Sequence, residues 1–359
     1  MVSQDKVKIV YAGIHNDNYD ARRAGSFEYQ NFYLTLKNMP NVEVIECPYD
    51  RIVHVGREKF NDELLSLVKT EKPDLFFAFM YTDELSPRIL LEIKKITKSV
   101  AWFADDYWRF WNYSKHWPPY FSYVVTTYSR AVKWYKEAGF ENVILSQWAC
   151  NTSLYKPVEI TKDIDVSFVG QKKSGREKVI DALRHAGIEV QCFGFGWPNG
   201  KVSHEEMLKI FGRSKICLNL TDRKSLRDPS VIGRLFFKKS VNRVVPDFHF
   251  VDNLRAYLHF PIIHTHARPF ELAGCRAFVI SGWSEDIGKY YEEDKEIVFY
   301  KSNSELIEKI KRFLPRDAER EAIAKEAYGR TMKDHTYEKR FRKIFSKNRI
   351  ELSHESKTD

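Results

Sequence analysis

The residues best suited to chemistry lie in the C-terminal half of the chain. Val169-Gly170-Gln171-Lys172-Lys173-Ser174-Gly175-Arg176 reads as a glycine-ended strand feeding a basic helix start. Backbone N–H groups and cations at such a start can cradle a diphosphate. It is not a Walker loop, because the G-x-x-x-x-G-K-[ST] spacing is absent. Phe193-Gly194-Phe195-Gly196-Trp197 places rings and glycines at the next strand end, suited to a nucleobase face or edge. Arg268-Pro-Phe-Glu271 puts a carboxylate at a helix start, where it can accept two hydrogen bonds from a ribose diol. Asn219 ends one further strand pattern, and Ser281-Gly-Trp-Ser-Glu285-Asp286 follows another. His264 and His266 form a pair without a third ligand, so no metal site is expected.

These residues need strand ends and helix starts to hold them, and the pattern supplies both. Val7–Ala12, Val42–Glu46, Pro73–Phe79, Ser99–Phe103, Tyr123–Thr127 and Val143–Leu145 read as strands. Helical patterns alternate with them, the first running from Ser26, a plausible N-cap, to Lys37. The alternation restarts at Ile164–Gly170 and continues through Ile188–Gly194, Ile216–Leu220, Ala277–Ile280 and Ile297–Tyr300. Two successive doubly wound α/β halves are expected, with ligands at the carboxyl ends of their strands and a cleft between them. The expected boundaries are 1–157 for the first domain and 158–325 for the second. The second carries a basic insertion at 221–266, then a terminal helix at 326–349 and a flexible tail at 350–359.

The 359 residues suit two domains, and 43% hydrophobic residues are enough to build a core in each. The net charge of +9 is local rather than spread. Residues 221–246 hold seven Lys or Arg against two Asp, and 333–349 hold seven against two acids, leaving the rest near neutral. Five scattered cysteines without C-x-x-C spacing argue against a disulfide framework and point to a reducing cytoplasm. The first residues lack an apolar signal core, and the longest apolar runs are strand-length, so no integral membrane segment is expected.

Taken in order, Val166-Ser-Phe-Val-Gly170, Phe193-Gly-Phe-Gly-Trp197, Arg268-Pro-Phe-Glu-Leu-Ala-Gly-Cys275 and His335-Thr-Tyr-Glu-Lys-Arg340 resemble the CgeB-type, spore-protein-like glycosyltransferases. Val100-Ala-Trp-Phe-Ala-Asp105-Asp106 is similar to the strand with paired aspartates in that family. The resemblance covers about 300 residues and implies the GT-B architecture, two facing Rossmann-like domains with a terminal helix crossing back to the first. It implies a UDP- or GDP-type nucleotide-sugar donor held mainly by the second domain, with no further cofactor and no metal required. Glu271 would meet the ribose, and Gly170 with Lys172, Lys173 or Arg176 the diphosphate. Phe193, Gly194, Asn219 and Arg268 would complete the donor set.

Two departures stand out. Group 1 retaining enzymes pair two glutamates eight positions apart, and Ile263 occupies the first place here. An inverting reaction would need a base from the first domain, for which Asp105, Asp106 and His15, with Asp17, are the candidates and Asp105 or Asp106 the preferred ones. The 221–266 stretch is longer than the family pattern and is expected to touch an acceptor, an anionic surface or a partner subunit. The acceptor stays open among polysaccharide, glycoprotein and nucleic acid. A nucleotide-sugar-binding scaffold, a DNA-modifying glycosyltransferase and a nucleotide-sugar epimerase are the competing functions.

Overall fold

The computed structural model describes residues 6–221, 225–348 and 350. Arg223, Lys224, Arg349 and the tail from 351 therefore lie outside the described residues. The first sheet is built from β1 (Val7–Gly13), β2 (Val42–Pro48), β3 (Leu75–Phe79), β4 (Lys98–Phe103), β5 (Tyr123–Thr126) and β6 (Val143–Leu145). They pair in the order β2-β1-β3-β4-β5-β6, every neighbour parallel. All five residues of β3 are buried, which explains why that stretch is apolar without alternation: helices cover both faces of a central parallel strand.

The second sheet begins with β7 (Ile164–Val169), β8 (Gln191–Phe193) and β9 (Ser214–Asn219). An antiparallel hairpin, β10 (Phe237–Ser240) and β11 (Arg243–Pro246), intervenes before β12 (Val279–Gly282) and β13 (Val298–Tyr300) return to that sheet. Its order is β13-β12-β9-β7-β8, again parallel. The core of this sheet joins Val166, Phe168, Ile216, Leu218 and Ile280 to Leu183, Ile310 and Phe313 from flanking helices. Ser26 caps the first helix as the sequence placed it, and two further serines cap later helices. Ser26 Oγ accepts from Tyr29 N, Ser203 Oγ from Glu206 N and Ser302 Oγ from Glu305 N.

The chain divides into two compact units whose membership is not sequential. One holds residues up to Gln147, then Ser225–Phe260, then the chain from Tyr337; the other holds Trp148–Lys224 and Pro261–Thr336. The first boundary falls ten residues before the expected position 157. More consequentially, the stretch expected as an insertion of the second domain interrupts that unit in sequence but packs within the first. The reason is a set of partners that pattern reading cannot see. Trp108 lies 4.3 Å from Phe260 and Trp111 lies 5.4 Å from His259, ring centre to ring centre. Asn112 donates to Asn253 at 2.9 Å, Lys115 pairs with Asp252 at 2.6 Å, and Val241 N donates to Thr82 Oγ1 at 2.8 Å.

The terminal helix begins at Tyr337 rather than at the expected position 326, because residues up to Asp334 continue the preceding helix Asp317–Asp334; it runs to Lys347 and belongs to the first unit. Tyr337, Phe341, Ile344 and Phe345 recur at helical spacing and are buried, with Phe341 against Phe32 and Phe77. The cations of this basic stretch take the other face, where Arg342 pairs with Glu338 one turn away at 2.8 Å.

Candidate functional site

In the second unit, Gly170, Gly194, Asn219, Ser281 and Tyr300 lie at or just beyond the carboxyl ends of their five strands. This is the edge at which open parallel sheets bind ligands. Gly170 N donates to Phe193 O at 2.8 Å and Lys172 N to Phe195 O at 2.9 Å, locking the two loops together. Trp197 Nε1 donates to Gly170 O at 3.0 Å. The approach is so close that a Cβ on Gly194 would lie 2.3 Å from Gly170 O, at a φ of +129°. Only glycine fits there.

The helix Ser174–His185 starts directly from this loop and presents its N-terminal end to the same edge. Its cations are placed differently from one another. Arg176 is tied into the loop, donating from Nε to Leu220 O at 3.3 Å and from a terminal nitrogen to Gln171 O at 3.0 Å, over the ring of Phe168. Lys172 pairs with Glu177 at 2.7 Å and lies over Trp197. Lys173 is exposed at the N-cap position. Phe195 carries the exposed ring of the aromatic loop, with Lys201 over it at 5.6 Å, whereas Phe193 contributes its main chain to the Gly170 contact.

Asn219 is buried and donates to Ser281 Oγ at 2.9 Å, joining the ends of β9 and β12. Arg268 and Glu271 form a second group on the helix Arg268–Gly274, paired at 2.8 Å with the carboxylate buried. Because this helix leads into β12, its N-terminus faces the carboxyl edge of the sheet. The described contacts of Arg268 run to Met207 and Phe211, not to the Gly170 loop. Burial, then the Glu271 carboxylate, pushes the Tyr155 phenol up, which marks Tyr155 as a neighbour that motif reading missed.

In the first unit, the candidates separate by environment. His15 follows β1 in a loop held by Asp50, whose carboxylate accepts from His15 N at 2.7 Å and Asn16 N at 2.9 Å. Its Nδ1 lies 2.7 Å from Glu46 Oε1 on the adjacent strand β2, and its ring rests 3.9 Å from that of Tyr29. A carboxylate on one imidazole nitrogen fixes the orientation of the ring, the arrangement of a general base with its orienting partner. Burial is the main influence on the Glu46 carboxyl, raising it, and His15 pulls it back down.

The paired aspartates have opposite surroundings. Asp106 is fully buried, accepts from Tyr135 OH at 3.0 Å, and its carboxyl is pushed up to about 6 by burial. This carboxylate is enclosed among Tyr135, Ser114 and Thr126 and has no exposed surface, which argues against its candidacy as a base. Asp105 is half-buried at the end of β4, and its main-chain carbonyl accepts from Trp108 N and Arg109 N. Near it lies Glu28, which motif reading passed over. Burial pushes the Glu28 carboxyl up to about 7, with smaller repulsions from Asp17 and Asp105. Its position two residues after the Ser26 cap was the available signal. Among the described residues, no group of three or more His, Cys, Asp or Glu side chains could hold a metal ion. None of their helices is long and apolar enough to cross a membrane.

Comparison with known proteins gives a consistent picture. Residues 248–346 match the family model described as glycosyl transferase-like. A search of curated proteins finds no match. Among solved structures, the chain is similar to a sucrose-phosphate synthase from Thermosynechococcus elongatus, with a TM-score of 0.60 at 10% identity, covering 96% of this chain and 98% of that one. It is similar to a glycosyltransferase from Rickettsia africae, with a TM-score of 0.59 at 10% identity over 98% and 100% of the two chains. It is also similar to Anabaena HepE in complex with UDP-glucose, with a TM-score of 0.57 at 12% identity over 95% and 99%. At these identities the likeness establishes the fold: α/β, of the GT-B type, with two Rossmann-like units.

Proposed function

We propose that this protein is a glycosyltransferase that moves a sugar from a nucleotide-sugar donor to an acceptor hydroxyl, as a relative of the CgeB-type enzymes. The observation that carries the reading is the carboxyl edge of the second sheet, where the Gly170 loop and a helix N-terminus meet in a GT-B fold. The similar HepE structure holds UDP-glucose, which supports a UDP-type donor over a GDP-type one. In this reading, Gly170, Lys173 and the start of the Ser174–His185 helix take the diphosphate. Phe195 offers its exposed ring to the base, and Glu271 takes the ribose, held in place by Arg268. The departing diphosphate is stabilised by Lys173 and the backbone dipoles of the helix start, so the reading requires no metal.

We assign acceptor activation to the first unit and to His15. The imidazole removes the acceptor proton, the acceptor oxygen attacks the anomeric carbon, and the bond to the diphosphate oxygen breaks with inversion. Glu46 orients the ring through Nδ1 and stabilises the imidazolium that forms. The five cysteines are all free and buried, in keeping with a reducing cytoplasm.

The test is a thermal-shift and turnover panel of UDP- and GDP-sugars. The reading expects one UDP-sugar to raise the melting temperature and release UDP, with Glu271→Ala losing the shift and His15→Ala keeping it while losing turnover. Binding without turnover under every acceptor class would leave a nucleotide-sugar scaffold. No shift with any donor would end the assignment.

A further inference from the structure

The 225–260 segment has an unusual surface. Nine of the fifteen large apolar side chains exposed among the described residues fall within it. The helix Phe250–His259 is turned inside out relative to an ordinary surface helix. Its polar residues Asp252 and Asn253 face the first unit and bond Lys115 and Asn112. Val251, at 68% exposed, and Leu254 and Leu258 face away from it. The adjoining hairpin adds Val244 at 75% exposed, and the chain beyond it adds Phe248 at 77%. The ring of Phe250 lies 6.1 Å from that of Phe236 and 6.4 Å from that of Phe248, centre to centre. Exposed cations are interleaved with these rings, among them Lys238, Arg243 and Arg255.

A contiguous apolar patch of this kind marks an interaction surface. Its charge chooses the occupant. A second copy of the chain in a two-fold pair would bring the same cations face to face, whereas aromatic side chains among Lys and Arg match an anionic bilayer surface. We propose that residues 225–260 form a membrane-surface contact. Phe248, Phe250, Val251 and Leu254 enter the headgroup boundary of an anionic bilayer, and Lys238, Arg243 and Arg255 meet lipid phosphates. The segment is fastened to the first unit through Trp108, Trp111 and Thr82, so that unit is the one brought to the surface. This inference does not depend on the donor chemistry of the second unit.

Co-sedimentation of the full chain with vesicles tests it. Vesicles with about one third phosphatidylglycerol should carry the protein down, and pure phosphatidylcholine should do so at least tenfold less, with the difference shrinking at high salt. The double variants Phe248→Ser/Phe250→Ser and Lys238→Glu/Arg243→Glu should each lose tenfold or more in partition while keeping the parent melting temperature. The salt series needs only the parent protein and decides the matter even where a variant is poorly folded. Equal binding by both variants, or no binding by the parent, overturns the proposal. So does a dimer in light scattering that the phenylalanine variant dissolves without any vesicle binding. Salt-sensitive binding to duplex DNA in place of vesicles also overturns it, in favour of a nucleic-acid surface.

Discussion

At the scale of single residues, burial separates carboxylates that look alike in the sequence. Asp105 and Asp106 are neighbours, yet one is half-buried at a strand end and the other is enclosed with Tyr135. Glu28 shows the consequence for stability. Its folded pKa, about 7, lies above the ordinary 4.5, so its contribution is fully present below pH 4.5 and is lost as pH rises through about 7. Glu28→Gln should therefore match the parent protein at acid pH and melt at a higher temperature than the parent at about pH 8. Melting curves across that range check it, and a constant difference at all pH values would refute it. Glu271→Gln removes the charge that faces Arg268 inside the second unit. A stability loss of about 1–3 kcal/mol is expected in chemical denaturation, together with a weaker response to donor.

At the scale of elements, the loops after β7 and β8 act as one unit because their backbones interlock at Gly170 and Gly194. Gly194→Ala should cost on the order of 1–3 kcal/mol or more, since the φ is unfavourable and the new methyl meets a backbone oxygen that cannot rotate away. A melting temperature equal to the parent's would contradict the geometry. Gly187, also at positive φ but with nothing near its Cβ position, should be less sensitive to the same change. The His15 loop is likewise an assembly, made from the end of β1, Glu46 of β2 and Asp50 beyond it. Glu46→Gln should lower kcat and shift its pH profile with little change in KM, whereas a merely structural role would move stability alone.

At the scale of the whole molecule, the chain leaves its first unit, builds half of the second, returns to the first for residues 225–260, completes the second, and returns again at Tyr337. Replacing 225–260 by a short linker should uncover Trp108 and Trp111 and shift tryptophan emission to the red. The nucleotide response should survive that deletion, because no donor residue named in the second unit lies in the removed stretch. Saturating donor at a hundred times its Kd should add about 2.7 kcal/mol to parent and deletion variant alike.

The alternation of apolar strands with capped helices was enough, by itself, to specify two parallel α/β sheets and most of their boundaries. That information is local: a continuous apolar run such as Leu75–Phe79 can only be buried on both faces, and Ser26 caps the helix it precedes. The strand-end positions of Gly170, Phe193 and Asn219 were legible for the same reason. The partners of these residues were not, because a hydrogen bond or ion pair depends on which distant segments folding brings together. His15 acquires Glu46 only when β2 pairs with β1, and Asp106 is enclosed only when the helix carrying Tyr135 packs against it. The clearest case is the basic excess at 221–246, visible as composition but read from its position in the sequence as part of the second domain. Tertiary packing against Trp108, Trp111 and Thr82 decided that its described part belongs to the first unit. The same packing turns the polar face of the Phe250–His259 helix inward and leaves its apolar face outside.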